Sequence, residues 1–251
     1  MHHKSLVRII IFYLISIVLS NIFRFDLLDL RNQTSANSDW ISIVTMFVLE
    51  GIGILIGGII GIHLLRKHKK LHVTVFGTDL YKSLLFILIP VIVLAILGIR
   101  NEFEINISYY GFIVGAGTLV YCFFEELGWR GYLQNELSDL KSWQRYVIIG
   151  FLWYLWHLAF ITDFSIEGNL FFLGMMIAGS WGIGQVANAT KSVLACTGFH
   201  FIINVVMYNQ LIQDGLNSKA KLLFIGICVL SFMVILRFWR KVKISKETQV
   251  Y

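Results

Sequence analysis

Charge is scarce in this sequence. Asp, Glu, Lys and Arg make up 14% of its 251 residues, against roughly 25% in soluble domains. Proline is scarcer still: Pro90 stands alone, and no Ser/Gly-rich stretch offers a linker, which argues against a second, soluble module. Cysteine is limited to Cys122, Cys196 and Cys228, all within apolar runs. An odd count with no CxxC pair supplies neither a disulfide framework nor a thiolate metal site. Several catalytic signatures are missing too. There is no HExxH, so the zincin pattern is absent. There is no GxSxG around Ser180 ("AGSWGIG"), so a serine hydrolase elbow is unsupported. No Walker A and no intramembrane Asp pair appear.

What fills the chain instead is apolar: 57% of residues are hydrophobic and the mean hydropathy is +0.73. A membrane-spanning helix takes about 20 such residues. The sequence predicts eight: 5–23, 41–65, 82–99, 108–127, 146–162, 169–188, 192–212 and 220–239. The expected fold class is therefore all-α, a single polytopic membrane domain over 1–251. Its polar motifs fall between about 108 and 212, and a basic tail follows at 237–251. The opening stretch "MHHKSLVRIIIFYLISIVLSNIF" is read as a retained first helix. Its apolar run is longer than a signal-peptide core and no small-x-small cleavage site follows.

The net charge of +6 does not point to nucleic acid, because the basic residues lie between apolar runs. Lys4 and Arg8, the "RKHKK" of 66–70, the trio Arg130, Lys141 and Arg145, then Lys191 and the tail "RFWRKVKISK" mark one side. Asp26, Asp29 and Asp39, then Glu102 and Glu104, then Asp163 and Glu167 mark the other. The alternation puts both termini in the cytoplasm by the positive-inside rule. The expected location is the cell membrane, with the lipid bilayer as partner and no nucleic acid. Two combs of small residues, Gly53, Gly57 and Gly61 in the second span and Gly174, Ala178 and Gly182 in the sixth, have the four-residue spacing that lets helices approach closely in lipid.

Ionisable groups inside a membrane are costly and suggest function. They occur in four places: "CFFEELGWRGYLQNEL" with Glu125, Glu126 and Arg130; "FLWYLWHLAF" with His157; "GFHFIINVV" with His200 and Asn204; and Glu50 alone. Glu126 and Arg130 are i, i+4 and share a face, as do His200 and Asn204, and Trp153 with His157. Glu125 points about 100° away from Glu126. This predicts that Arg130 holds Glu126 while Glu125 faces a cavity at the cytoplasmic end of the fourth span. Counting in from the cytoplasm, His157 lies about 16 Å deep and His200 about 12 Å, from the rise of a helix. One layer can hold all of these groups, and together they suit the activation of water and the stabilisation of an oxyanion.

Blander readings compete. A Glu–Arg pair at a helix end is often a structural staple. Asn204 alone can be interhelical glue, worth roughly 0.6 kcal/mol. Glu50 reads as structural or as part of a water pocket. Trp153, Tyr154 and Trp156 read as core, and Gln185 and Asn188 as interfacial. A proton relay of His157, His200 and Glu125 would suit a proton-coupled transporter, although no second access path is evident. A non-catalytic immunity or scaffold protein is the other alternative.

In order along the chain, Glu125-Glu126…Arg130, Trp153…His157 and His200…Asn204 resemble the CAAX protease and bacteriocin-processing family, also called Abi proteins. The resemblance covers about 110–210. Trp153 stands where the family usually has Phe, and Ala159 where proline often follows "WHL". The resemblance implies an intramembrane endopeptidase acting on a peptide or membrane-protein substrate. By it Glu125 and His157 would activate water, His200 and Asn204 would hold the oxyanion, and Glu126 and Arg130 would support the site. No cofactor is the favoured reading. Zinc on Glu125, His157 and His200 is also permitted by the donor types, but neither histidine has a ligand-spaced partner on its own helix.

Overall fold

The computed structural model describes residues 3–35, 39–67, 71–160, 165–207, 212 and 214–239. The basic tail expected at 237–251 beyond residue 239, and residues 68–70 of the 66–70 connection, therefore lie outside the described residues. The molecule is all-helical. In chain order the α-helices are α1 (His3–Arg24), α2 (Leu30–Ser35), α3 (Asp39–Glu50), α4 (Ile52–Ile60), α5 (Leu80–Leu97), α6 (Ile107–Glu126), α7 (Gln134–Glu136), α8 (Ser142–His157), α9 (Ile166–Thr190), α10 (Val193–Met207) and α11 (Ser218–Arg237). Among the described residues the only extended pairing is an isolated bridge between Thr74 and Ser192.

The described part of each predicted span falls on helix, with two differences of length and one of substance. Among the described residues six helical stretches are long and apolar enough to cross a membrane, whereas α10 is a shorter apolar helix. α8 stops at His157 and tightens into a 3-10 turn, Leu158–Phe160. The substantive difference is α6. It was expected to end near residue 127, with Arg130 in a basic loop. Instead the helix continues through a π-helical turn, Leu127–Leu133, into α7, so one helical rod runs from Ile107 to Glu136. Arg130 is fully buried in it. A buried guanidinium is tolerable only where it is paired, and its acidic partner, Glu126, lies one turn earlier in the same rod. π-turns inside α-helices are rare and concentrate at functional sites.

The rod starts where Asn106 caps it, its side chain accepting from the Ser108 and Tyr109 amides at 3.0 and 3.1 Å. α5, α3, α4 and α10 pack around it, α1 packs on α4, α8 on α9, and α11 on α5. The comb of α4 works as expected. A Cβ on Gly53 or Gly57 would run into Ser16 or Ser20 of α1, and one on Gly61 into the ring of Tyr132. The comb in α9 does not: Gly174 faces open space and Gly182 meets only Phe199. Close packing of α9 on α8 uses other glycines, Gly150 against the Ile177 backbone and Gly184 against Tyr146.

At the end of the rod that follows the π-turn, polar contacts tie distant segments together. Glu136 accepts from Arg8 at 2.6 and 2.9 Å and from the Lys67 amide at 3.0 Å. The Asn135 side chain accepts from the His72 and Val73 amides and donates to the Val73 carbonyl. Lys67 pairs with Asp139. These contacts fix the rod against α1 and the segment before α5.

Candidate active site

Glu125 lies in the last turn of α6 and is completely buried. Its Oε2 accepts two indole N–H groups, from Trp129 at 3.2 Å and from Trp153 at 2.7 Å. Trp129 comes from one turn further along the rod and Trp153 from α8. Oε1 makes no hydrogen bond among the described residues. One oxygen is thus oriented by two neutral donors, and the Tyr121 hydroxyl lies beside the same carboxylate. Glu125 was expected to face a cavity unheld; the tryptophan clamp is the correction, and it arises because an indole can bury its ring and still donate.

Glu126 has different company. Its Oε2 lies 3.4 Å from Arg130 Nε, as the i, i+4 spacing predicted. Its Oε1 lies 2.9 Å from Nδ1 of His200, which the sequence did not suggest. Glu126 therefore bridges α6 to α10. With Nδ1 turned to this carboxylate, the other ring nitrogen of His200 points away from it.

His157 is the last residue of α8, and its Nδ1 lies 2.9 Å from the Trp153 carbonyl. A carbonyl only accepts, so in the neutral ring Nδ1 carries the proton and Nε2 is the acceptor. Asn204, one turn beyond His200 and nearly buried, directs its Nδ2 toward Cys122 Sγ at 3.7 Å. That contact brings α10 to the face of the rod that carries the acids.

Trp153 is the hub of the arrangement. Its indole bonds Glu125, and its ring centroid lies 5.8 Å from that of His157 and 5.1 Å from that of His200, edge-on in both cases. The Arg130 guanidinium lies 5.7 Å from the same ring. The structure thus brings Glu125, Glu126, Arg130, His157 and His200 together around one side chain that sequence reasoning had assigned to the core. Trp129 was missed too. The available signal was its i, i+4 spacing from Glu125. Glu50, read as solitary, is not isolated either: it is an electrostatic neighbour of Arg24 and of Tyr121, whose hydroxyl lies alongside Glu125. Gln185 remains a surface residue of α9, whereas Asn188 joins Gln134 to the Tyr146 hydroxyl.

Among the described residues no three His, Cys, Asp or Glu side chains converge as a ligand set. Nδ1 of His157 is turned to the Trp153 carbonyl and Nδ1 of His200 to Glu126.

Comparison with known proteins agrees with this constellation. Residues 106–206 match the family described as Type II CAAX prenyl endopeptidase Rce1-like. In this stretch the chain is similar to the CAAX protease and bacteriocin-processing family. All of the site residues above except Arg24 and Glu50 fall inside it. A CAAX prenyl protease 2 from Methanococcus maripaludis is 26% identical over 184 residues, an alignment covering 64% of this chain. The chain spans 66% of the length of that relative.

Proposed function

We propose that the protein is an intramembrane endopeptidase, in which Glu125 and His157 activate a water molecule and His200 with Asn204 stabilises the oxyanion. The observation that supports this reading best is the asymmetry of the Glu125 carboxylate. Its Oε2 is held by two indole N–H groups while Oε1 has no protein hydrogen bond among the described residues. A carboxylate oriented by neutral donors keeps an acceptor oxygen in place for a water proton and needs no cation to hold it. Nε2 of His157 offers a second acceptor. The water oxygen attacks the carbonyl carbon of the scissile peptide bond, and its proton passes to Glu125. The carbonyl oxygen becomes an oxyanion facing the Asn204 amide and the His200 nitrogen turned away from Glu126. Collapse of the intermediate breaks the C–N bond, and the amine leaves with the proton held by the carboxyl. Glu126 and Arg130 keep His200 in place.

The substrate class proposed from the family is a peptide ending in a prenylated CAAX sequence. Both termini are placed in the cytoplasm on the alternation of loop charge. The test is direct: purified protein is incubated with a fluorescence-quenched, farnesylated CAAX peptide in ¹⁸O-labelled water. Cleavage with one ¹⁸O atom in the new carboxylate, absent in Glu125→Gln, is expected. Equal product from both proteins, or none from wild type across prenylated and unprenylated peptides, overturns the proposal.

A further inference from the structure

Arg24 ends α1, far in sequence from every site motif and outside the stretch that matches the family. It crosses 132 positions of sequence to reach α8. Its Nη1 donates to the Trp156 carbonyl at 2.7 Å, and its guanidinium sits 3.6 Å from the centre of the Trp156 ring. The last four carbonyls of a helix have no amide partner within it. At the end of α8 two of these outer carbonyls and one inner one are accounted for by different groups. The Leu158 amide reaches the Leu155 carbonyl, the His157 ring reaches that of Trp153, and Arg24 reaches that of Trp156. Arg24 thus caps α8 from another helix, at the carbonyl of the peptide unit that leads into His157.

The fixation extends to the side chains. Trp156 is fully buried, and its ring meets that of His157 edge-on at 4.9 Å and that of Trp129 at 6.4 Å. Trp129 is one of the two donors to Glu125. A cation stacked on Trp156 therefore lies behind both proposed water-activating groups, on His157 through the chain and on Glu125 through Trp129. Glu50 of α3, Tyr121 and Glu125 are the electrostatic neighbours of Arg24.

We infer that Arg24 is a positioning residue of the site: it caps α8 and stacks on Trp156 so that His157 is held against Glu125. The inference rests on the protease reading for its catalytic consequence but not for its geometry, and the experiment separates the two. Arg24→Gln, Arg24→Lys and wild type are purified in detergent. Cleavage of the farnesylated peptide is measured beside site-resolved acylation by diethylpyrocarbonate, with His157 and His200 quantified by mass spectrometry. Small misplacements of a reacting group cost up to about 10²-fold in rate. Arg24→Gln is expected to lower kcat by about 10- to 10²-fold with KM within about twofold, and to raise acylation of His157 several-fold while His200 stays as in wild type. Arg24→Lys keeps a donor and loses the planar stack, and so falls between the two in both measurements. Folded Arg24→Gln with wild-type kcat and wild-type acylation overturns the inference, as does an equal rise at both histidines, which signals general loosening. If Arg24→Gln does not fold, Arg24→Lys decides by the same criterion of selectivity for His157. If wild type cleaves nothing, the protease reading fails, and the acylation pattern alone decides whether Arg24 holds His157.

Discussion

Glu125 and Glu126 are adjacent, equally buried and identical in chemistry, yet they occupy opposite kinds of surroundings. Glu125 is met by two indole N–H groups and, among the described residues, by no cation within hydrogen-bonding distance. Glu126 is met by a guanidinium and an imidazole. The 100° turn between neighbours on a helix sends one toward α8 and the other toward α10. The difference teaches how a helix can divide two roles between consecutive residues. A carboxylate that must react is held by groups that do not neutralise it, and one that must hold others is itself neutralised.

The sharpest break of this comparison is Glu125→Gln. Loss of a general base typically removes about 10²- to 10⁴-fold of rate, so cleavage of the farnesylated peptide falls by about 10³-fold or more. The amide can still accept from Trp129 and Trp153, so the unfolding midpoint in detergent stays near that of wild type. Arg130→Ala is the counterpart on the Glu126 side. It strands a fully buried carboxylate, and breaking such a pair typically costs about 3–5 kcal/mol, read as a lowered midpoint in denaturant. His200 still faces Glu126 and places the loss toward the lower end. A stable Arg130→Ala together with an unfolded Glu125→Gln would invert the two roles.

Much of this was legible in the chain, and what was not has physical causes. The apolar segments and their order, the pairing of Glu126 with Arg130 and the convergence of Glu125, His157 and His200 all follow from periodicities of 3.6 and about 20 residues. The length of the rod was misjudged because Arg130 reads as the end of a greasy run, whereas its pairing one turn away lets the helix continue. Trp129 and Trp153 were undervalued because a hydropathy reading counts the indole as apolar and is blind to its N–H. The comb in α9 was over-read, since four-residue spacing says which residues share a face but not whether a helix lies against it. Arg24 and Glu50 were obscure for the same reason as His200 against Glu126: partners from separate helices leave no spacing in the sequence.

The next prediction tests the oxyanion side of the site. Removing one oxyanion donor typically costs about 10²- to 10³-fold in kcat, and Asn204→Ala is expected to do so with KM little changed. Asn204→Asp is expected to be slower still, because a carboxylate there faces the developing negative charge. A large rise in KM with kcat preserved would assign Asn204 to substrate binding instead.

Trp153→Phe sharpens the comparison from the Glu125 side. Phenylalanine is the residue the family more often has here, so the fold should accept it. It keeps an aromatic ring between the histidines but removes the donor 2.7 Å from Glu125 Oε2. Hydrogen bonds to charged groups contribute about 1.5–3 kcal/mol; Trp129 remains as a second donor, so the expected loss is about tenfold in kcat. No change would mean that Trp129 alone orients Glu125.

The smallest expected effect is that of removing metal. Three donors must converge on one point for zinc, typically about 2.0–2.3 Å from each. Here Nδ1 of His157 faces a carbonyl and Nδ1 of His200 faces Glu126, while Glu125 Oε2 is taken up by two indoles. Binding zinc would require the remaining nitrogens and Oε1 to swing to a common centre, against the packing of Trp153 between the two histidine rings. Exhaustive chelation followed by elemental analysis is therefore expected to leave turnover of the farnesylated peptide unchanged. Stoichiometric zinc in the purified protein, with activity lost on its removal and restored on its return, would break the comparison at its root. Glu125 would then be neutralised by a cation after all, with His157 and His200 as its fellow ligands.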